Sequence, residues 1–320
     1  MQAAHSAVKV KTTTGKSRFF RIKENIGLYI MLVPSVILLC LFAYRPMYGI
    51  LMAFQNYRFG PIVGAPWADP WYSHFQHFFT SPRGLTIIRN TIMLSGYNLI
   101  AGFPFPIIVA VCLNHIHNRK FKRTYQTISY LPHFISAVVM VALIMIILDP
   151  MAGLMSQLYR LIFGADTMPP HFMASASAFP HVFVWTEIWQ HTGWHSIIYF
   201  AALASIDPTL YEAATVDGAS RWQKIRYVDI PMILPTASIL LILAAGGIMT
   251  MGFEKPFLMQ NNLNISTSEI IPTYIYSIGL LGTVPRFSYA TAVGLFQTVV
   301  NLILLLSVNF FAKKMGTGLW

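Results

Sequence analysis

Apolar positions in this chain fall into long, nearly unbroken blocks, unlike the alternating or every-third patterns of soluble elements. Six blocks, at about 26–44, 87–113, 128–148, 179–206, 232–251 and 287–312, have the length a helix needs to cross ~30 Å of hydrocarbon. Pro34 in the first block predicts a kink. A basic flank precedes that block, but no small-residue cleavage site follows it, so it is expected to stay as a helix. The stretches between blocks differ in kind. Residues 45–85 are aromatic and broken by Pro and Gly, which suits an outer interfacial loop. Residues 149–178 and 252–285 are polar or rich in breakers and form two further outer segments. The pattern predicts an all-α integral membrane protein of six transmembrane helices, with one membrane domain over 26–320. A basic cytoplasmic tail over 1–25 precedes it, and no soluble domain is appended.

Composition strengthens this reading. The chain is 55% hydrophobic and 10% charged, whereas soluble domains carry about 25% charged residues. A net charge of +11 would fit a nucleic-acid binder, yet the cations cluster at the ends of apolar blocks and form no basic face, which excludes nucleic acid as a partner. The 1–25 tail, the 114–126 connection, the 221–226 stretch and the C-terminal end hold 15 Lys and Arg, against 7 elsewhere. An even number of crossings and the positive-inside rule place both termini and the 207–231 stretch in the cytoplasm, with anionic lipid beside them. Cys40 and Cys112 fall inside apolar blocks and are expected as buried free thiols. Thr14-Gly15-Lys16-Ser17 ends like a phosphate-binding loop, but Val10 stands where its first glycine belongs. The chain is expected to bind no nucleotide itself.

The polar island at 207–231 is the most informative stretch. Asp207 can cap a helix that carries Pro208 in its first turn, Gly218 can end that helix in the left-handed region, and Ser220 can cap the next. Pro231 is expected to stop the second helix. The result is a helix–Gly–helix elbow that a soluble partner could grip. Glu212-Ala213-Ala214, Gly218 and Val228-Asp229-Ile230-Pro231 at their spacing resemble the EAA loop, the mark of permease subunits of bacterial binding-protein-dependent ABC importers. The usual ending is Ile-x-Leu-Pro, so Val228 and Ile230 depart from it conservatively. Phe54-Gln55-Asn56, Asn90-Thr91 and the stretch around Gly252-Phe253-Glu254 and Phe257-Leu258 resemble the carbohydrate branch, in particular permeases for oligosaccharides and uronates.

The fourth block is polar where a lipid-facing helix would be apolar. Glu187, Gln190, His191 and Trp194 follow i, i+3, i+4, i+7 and share one helical face. Ionisable groups inside a span normally face a partner or a water-filled path. Carboxylate, amide, imidazole and indole together suit a sugar, whose hydroxyls need donors and acceptors and whose ring face stacks on an indole. Structural or interfacial use of the same row stays open, with Trp185 and Trp189 as ordinary belt residues. The resemblance implies substrate contacts at these positions, because the span before the EAA loop supplies them in sugar-importing relatives. Glu254 and Lys255 would either line the outer end of the path or pair at the surface. Asn90, Asn98, Gln297 and Asn301 are expected as interhelical hydrogen-bond glue. His191 and His195 are four apart but lack a third ligand, and no catalytic constellation is present, so neither a metal nor a catalytic site is expected.

The resemblance implies the ABC importer type I permease fold in the bacterial cytoplasmic (inner) membrane. It implies import of an oligo- or polysaccharide, alginate or another acidic sugar polymer, driven by ATP hydrolysis elsewhere. The implied partners are a second homologous permease, two ATPase subunits that bind ATP and Mg, and a periplasmic solute-binding protein. Glu212, Ala213, Ala214, Asp217, Gly218 and Arg221 would then couple the elbow to the ATPases. Two other readings compete: a secondary sugar transporter, which would show repeated, interrupted spans, and an integral membrane enzyme using Glu187 and His191.

Overall fold

The computed structural model describes residues 25–314, so the basic tail expected at 1–25 lies outside the described residues apart from Asn25. The chain divides into a short first unit that ends at Leu51 and a main unit from Met52 onward. In the first unit, α1 (Ile26–Leu39) is apolar throughout and contains Pro34. Its helical run does not stop at residue 44 as expected. It continues through a π-turn, Cys40–Tyr44, into a 3-10 stretch, Arg45–Phe54, since Pro46 falls in the first turn of that stretch and needs no donor there.

In the main unit, α2 (Ser73–Thr80) leads into α3 (Pro82–Gly102), whose first turn is capped by the Ser81 side chain accepting from Gly84 N–H. With α4 (Pro104–Asn114) it makes one long span over Pro82–Asn114. The third block departs most from expectation. Asn118 caps α5 (Arg119–Tyr130), a 3-10 turn at Leu131–Phe134 follows, and α6 (Ala137–Ile147) restarts at an angle of 102°. Pro132 and the Ser136 cap break the backbone ladder there, so 128–148 is a broken helix. Beyond α7 (Leu154–Phe163), α8 (Phe179–Ala204) carries the polar row. The elbow consists of α9 (Pro208–Val216) and α10 (Arg221–Lys224).

Pro231 does not stop the elbow's second helix. A π-turn over Ile225–Asp229 joins α10 to α11 (Ile230–Gly246), giving one continuous span, Arg221–Gly246. The wider turn shifts bonding so that Ile230 N–H reaches Ile225 O, and proline's missing donor falls where the ladder is already interrupted. The segment 252–285 folds into α12 (Glu254–Met259), α13 (Ile265–Ser268) and α14 (Ile271–Tyr276) before α15 (Phe287–Lys314) ends the described chain. Among the described residues no strand forms.

Four runs are long and apolar enough to cross a membrane by themselves, and the bent α5–α6 pair is a fifth candidate. The helix α8, at 26 residues, is about 39 Å long, but its polar row keeps it out of that set. The fold is therefore that of an all-α membrane protein, and each of the six expected blocks carries helix.

The segment 252–285 is stitched to α3 by polar contacts. Arg83 donates two hydrogen bonds to the Glu269 carboxylate, at 2.9 and 2.6 Å, and Asn90 Nδ2 donates to Ser266 O and Glu269 O. Gln297 and Asn301 of α15 hold Met249 through its backbone. These three amides act as the glue expected of them, whereas Asn98 lines a cavity instead. Cys40 and Cys112 are free thiols, as expected, but both are exposed on their helices, because each lies on the outward face of an apolar span.

Candidate functional site

Two regions of the main unit concentrate polar chemistry, and α8 passes between them. In its N-terminal half, the Glu187 carboxylate accepts from Lys255 Nζ at 2.9 Å and lies 3.1 Å from His191 Nε2. Lys255 is buried in α12 and also donates to Gln190 Oε1 at 3.2 Å, while its ammonium lies 5.7 Å from the centre of the Phe183 ring. The neighbouring Glu254 is exposed in the first turn of α12, where a carboxylate complements the helix dipole, and it does not line the cavity described below. Of the two alternatives for Glu254 and Lys255, pairing with each other does not occur, because consecutive helical residues point in different directions and Lys255 reaches back to α8.

The expected row on α8 is split between two tasks. Glu187 and His191, with Thr192 and His195, line a cavity of about 280 Å³ whose other walls include Asn98 and Gly102 of α3, Phe103 and Pro106, Tyr199 of α8, and Leu240 and Ala244 of α11. Gln190 and Trp194 face the break in the third span. Gln190 Nε2 donates to Ile135 O at 3.2 Å, satisfying a carbonyl that the break leaves free. The Trp194 indole stacks on His133, with ring centres 4.6 Å apart and planes within 4°. His133 Nδ1 in turn lies 2.9 Å from His191 Nδ1, so one ring donates and the other accepts. The approach of α5 to α8 rests on Gly193, where a Cβ would stand 2.0 Å from Ser129 O.

The sequence pattern put Glu187 and His191 on one helical face, which in the structure borders the cavity, and gave no sign of the Lys255–Glu187 or His133–His191 contacts. No local signal could give either pairing, since both arise from elements far apart in the chain. Among the described residues no group of three or more His, Cys, Asp or Glu could hold a metal ion.

The second region is the elbow, where the expected local chemistry is present. Asp207 accepts from Thr209 N–H at 2.9 Å with Pro208 in the first turn, Gly218 sits at φ +72°, and Ser220 and Gln223 form a capping box. Glu212, Ala213, Asp217, Gly218 and Arg221 are exposed and Ala214 is half-buried. Glu212, Asp217 and Arg221 make no ion pair among the described residues, which leaves the tip of the elbow open to a partner. Beneath that tip, Asp229 is fully buried and accepts from Tyr211 Oη and from His115 Nε2, each at 2.5 Å. Burial, and secondarily the Asp229 carboxylate, pushes the Tyr211 hydroxyl up to about 12.

Residues 102–317, which hold α8 and the whole elbow, match the family described as the binding-protein-dependent transport system inner membrane component. The chain belongs to that family. As a permease it resembles Protein LplB of Bacillus subtilis (strain 168), at 37% identity over 306 residues and 94% of each chain. It also resembles the polygalacturonan/rhamnogalacturonan transport system permease protein YteP of the same organism, at 38% identity over 98% of this chain and 96% of the other.

A crystal structure of a bacterial ABC transporter that imports the acidic polysaccharide alginate contains a chain with a TM-score of 0.83 and 37% identity. It covers 93% of this permease and 99% of that chain. In a second structure, at TM-score 0.85 and 36% identity, that transporter is in complex with an alginate pentasaccharide-bound periplasmic protein. The permease is thus a multi-pass inner-membrane protein of the type I ABC importer fold and is not itself an enzyme. The secondary-transporter and membrane-enzyme readings fall with that membership.

Proposed function

We propose that this permease carries an acidic oligo- or polysaccharide, alginate or a related uronate polymer, into the cytoplasm. The observation that carries this reading is the Lys255–Glu187 pair. A bare carboxylate on the path would repel a polyanion. With the ammonium 2.9 Å away on the buried side, the pair has no net charge. Imidazole, amide and hydroxyl groups are then left to meet sugar hydroxyls and carboxylates from His191, His195, Asn98 and Thr192. Glu187 and His191 contact the substrate, Gln190 and Trp194 hold the break beside it, and Glu254 stands outside. The acidic polysaccharides named for two of the similar proteins support the same substrate class.

The permease works with a second homologous permease, two ATPase subunits holding ATP and Mg, and a periplasmic binding protein. Its termini and elbow face the cytoplasm. Closure of the ATPases pulls on Glu212, Ala213, Ala214, Asp217, Gly218 and Arg221 and rocks the helices between inward- and outward-open forms. The ATPases must grip the two forms with different affinity, since equal binding would shift nothing.

The test is ATPase activity of the reconstituted complex with its binding protein loaded with alginate oligomers, oligogalacturonate or neutral maltooligomers. Stimulation by acidic oligomers alone is expected. Equal stimulation by maltooligomers would discard the acidic substrate, and uptake without ATP dependence would discard the importer.

A further inference from the structure

The buried carboxylate of Asp229 is not explained by contact with ATPase or substrate. It lies below the exposed tip of the elbow, with no accessible surface. An ionised carboxylate only accepts hydrogen bonds, so His115 must carry its proton on Nε2 and Tyr211 must donate. Asn114 Nδ2 donates to the same tyrosine oxygen at 3.2 Å. Around these groups packs an apolar cluster that includes Ala110 and Val111 of α4, Leu203 of α8, and Ile233 and Ala237 of α11. In such surroundings losing either donor would leave a buried carboxylate oxygen without a hydrogen-bond partner, which is costly.

The three partners come from three places. Tyr211 is on α9 beside Glu212, Asp229 is in the π-turn within the span Arg221–Gly246, and Asn114 and His115 close the cytoplasmic end of the span Pro82–Asn114. Both spans are walls of the cavity on α8. Along the helices, Pro106 lies about 12 Å from Asn114 and Leu240 about 16 Å from Asp229.

We infer that Asp229 is a positioning residue for coupling: with Tyr211, His115 and Asn114 it pins the elbow to two walls of the cavity, so that elbow and walls move as one body. The inference rests on the proposed ATP-driven import. It predicts a sharp difference between two substitutions. Asp229→Asn keeps both contacts, since its oxygen accepts from Tyr211 and its NH₂ donates to the other tautomer of His115. Asp229→Leu keeps the bulk and loses both contacts. Tyr211→Phe removes the hydroxyl that bridges Asn114 and Asp229.

The experiment uses the full complex in nanodiscs, with Cys40 and Cys112 replaced by serine and spin labels at Thr209→Cys and His117→Cys. Both label sites are exposed. Distances are read without substrate, nucleotide-free and with ATP and vanadate. An unchanged distance in the otherwise native complex and in Asp229→Asn is expected, with a shifted or broadened distribution in Asp229→Leu and Tyr211→Phe. In parallel, the ratio of uptake to ATP hydrolysed is expected to fall in Asp229→Leu. It is expected to hold in Asp229→Asn.

A native distance that changes with nucleotide overturns the pin, as does a distribution in Asp229→Leu identical to the native one. If Asp229→Leu fails to assemble, Tyr211→Phe decides by the same criteria. Failure of the import reading looks different: the spin-label distances behave as expected while neither alginate oligomers nor oligogalacturonate stimulate the native complex.

Discussion

Replacing Lys255 by methionine is the sharpest perturbation of the cavity. Methionine nearly matches the length of the lysine stem and removes only the ammonium. At 2.9 Å the Coulomb attraction to Glu187 is several kcal/mol even at an effective dielectric of about 20. Much of it offsets the cost of burying the lysine, whose side chain is 8% exposed. Removing one partner of a buried pair costs about 3–5 kcal/mol. The Glu187 side chain is 25% exposed and keeps His191 at 3.1 Å, which favours the lower bound, about 3 kcal/mol. Glu187→Gln leaves the more deeply buried Lys255 ammonium without its counter-charge and should cost at least as much, about 3–5 kcal/mol.

The double variant Glu187→Gln with Lys255→Met removes both charges and should recover most of the loss. Thermal unfolding of the purified native, single and double variants gives the cycle. A double variant whose loss is the sum of the two single losses would refute the pairing and with it the neutral-path reasoning.

Gly193→Ala forces a Cβ to within 2.0 Å of Ser129 O, so α5 must move off α8 at a cost of about 1–3 kcal/mol. A lower unfolding temperature and weaker uptake are expected, whereas Gly102→Ala, which meets Ile188 at an ordinary 3.5 Å, should unfold at the native temperature. Gly218→Pro locks φ near −65° where the chain needs +72°, and Glu212→Lys reverses charge at the exposed elbow. Both variants should insert and remain in the membrane but lose uptake, and transport at the native rate in either would remove the elbow from coupling.

The class of this protein was legible in its sequence because the relevant forces are local. Long apolar blocks must become helices in lipid, where every backbone donor and acceptor needs an internal partner. The caps at Asp207 and Ser220 and the left-handed turn at Gly218 follow from neighbours within a few residues, and the structure has each of them. The i, i+3, i+4 spacing likewise placed Glu187 and His191 on one face of α8.

What that face meets was decided only by tertiary packing. Lys255 reaches Glu187 from 68 positions away in the chain, His133 meets His191 from 58, and His115 meets Asp229 from 114. Such pairings depend on how helices cross, and local periodicity does not encode crossings. The same limit explains Pro231. From its own chemistry it should end a helix, but the π-turn before it absorbs the missing donor while the Tyr211–Asp229–His115 contacts hold that turn in place.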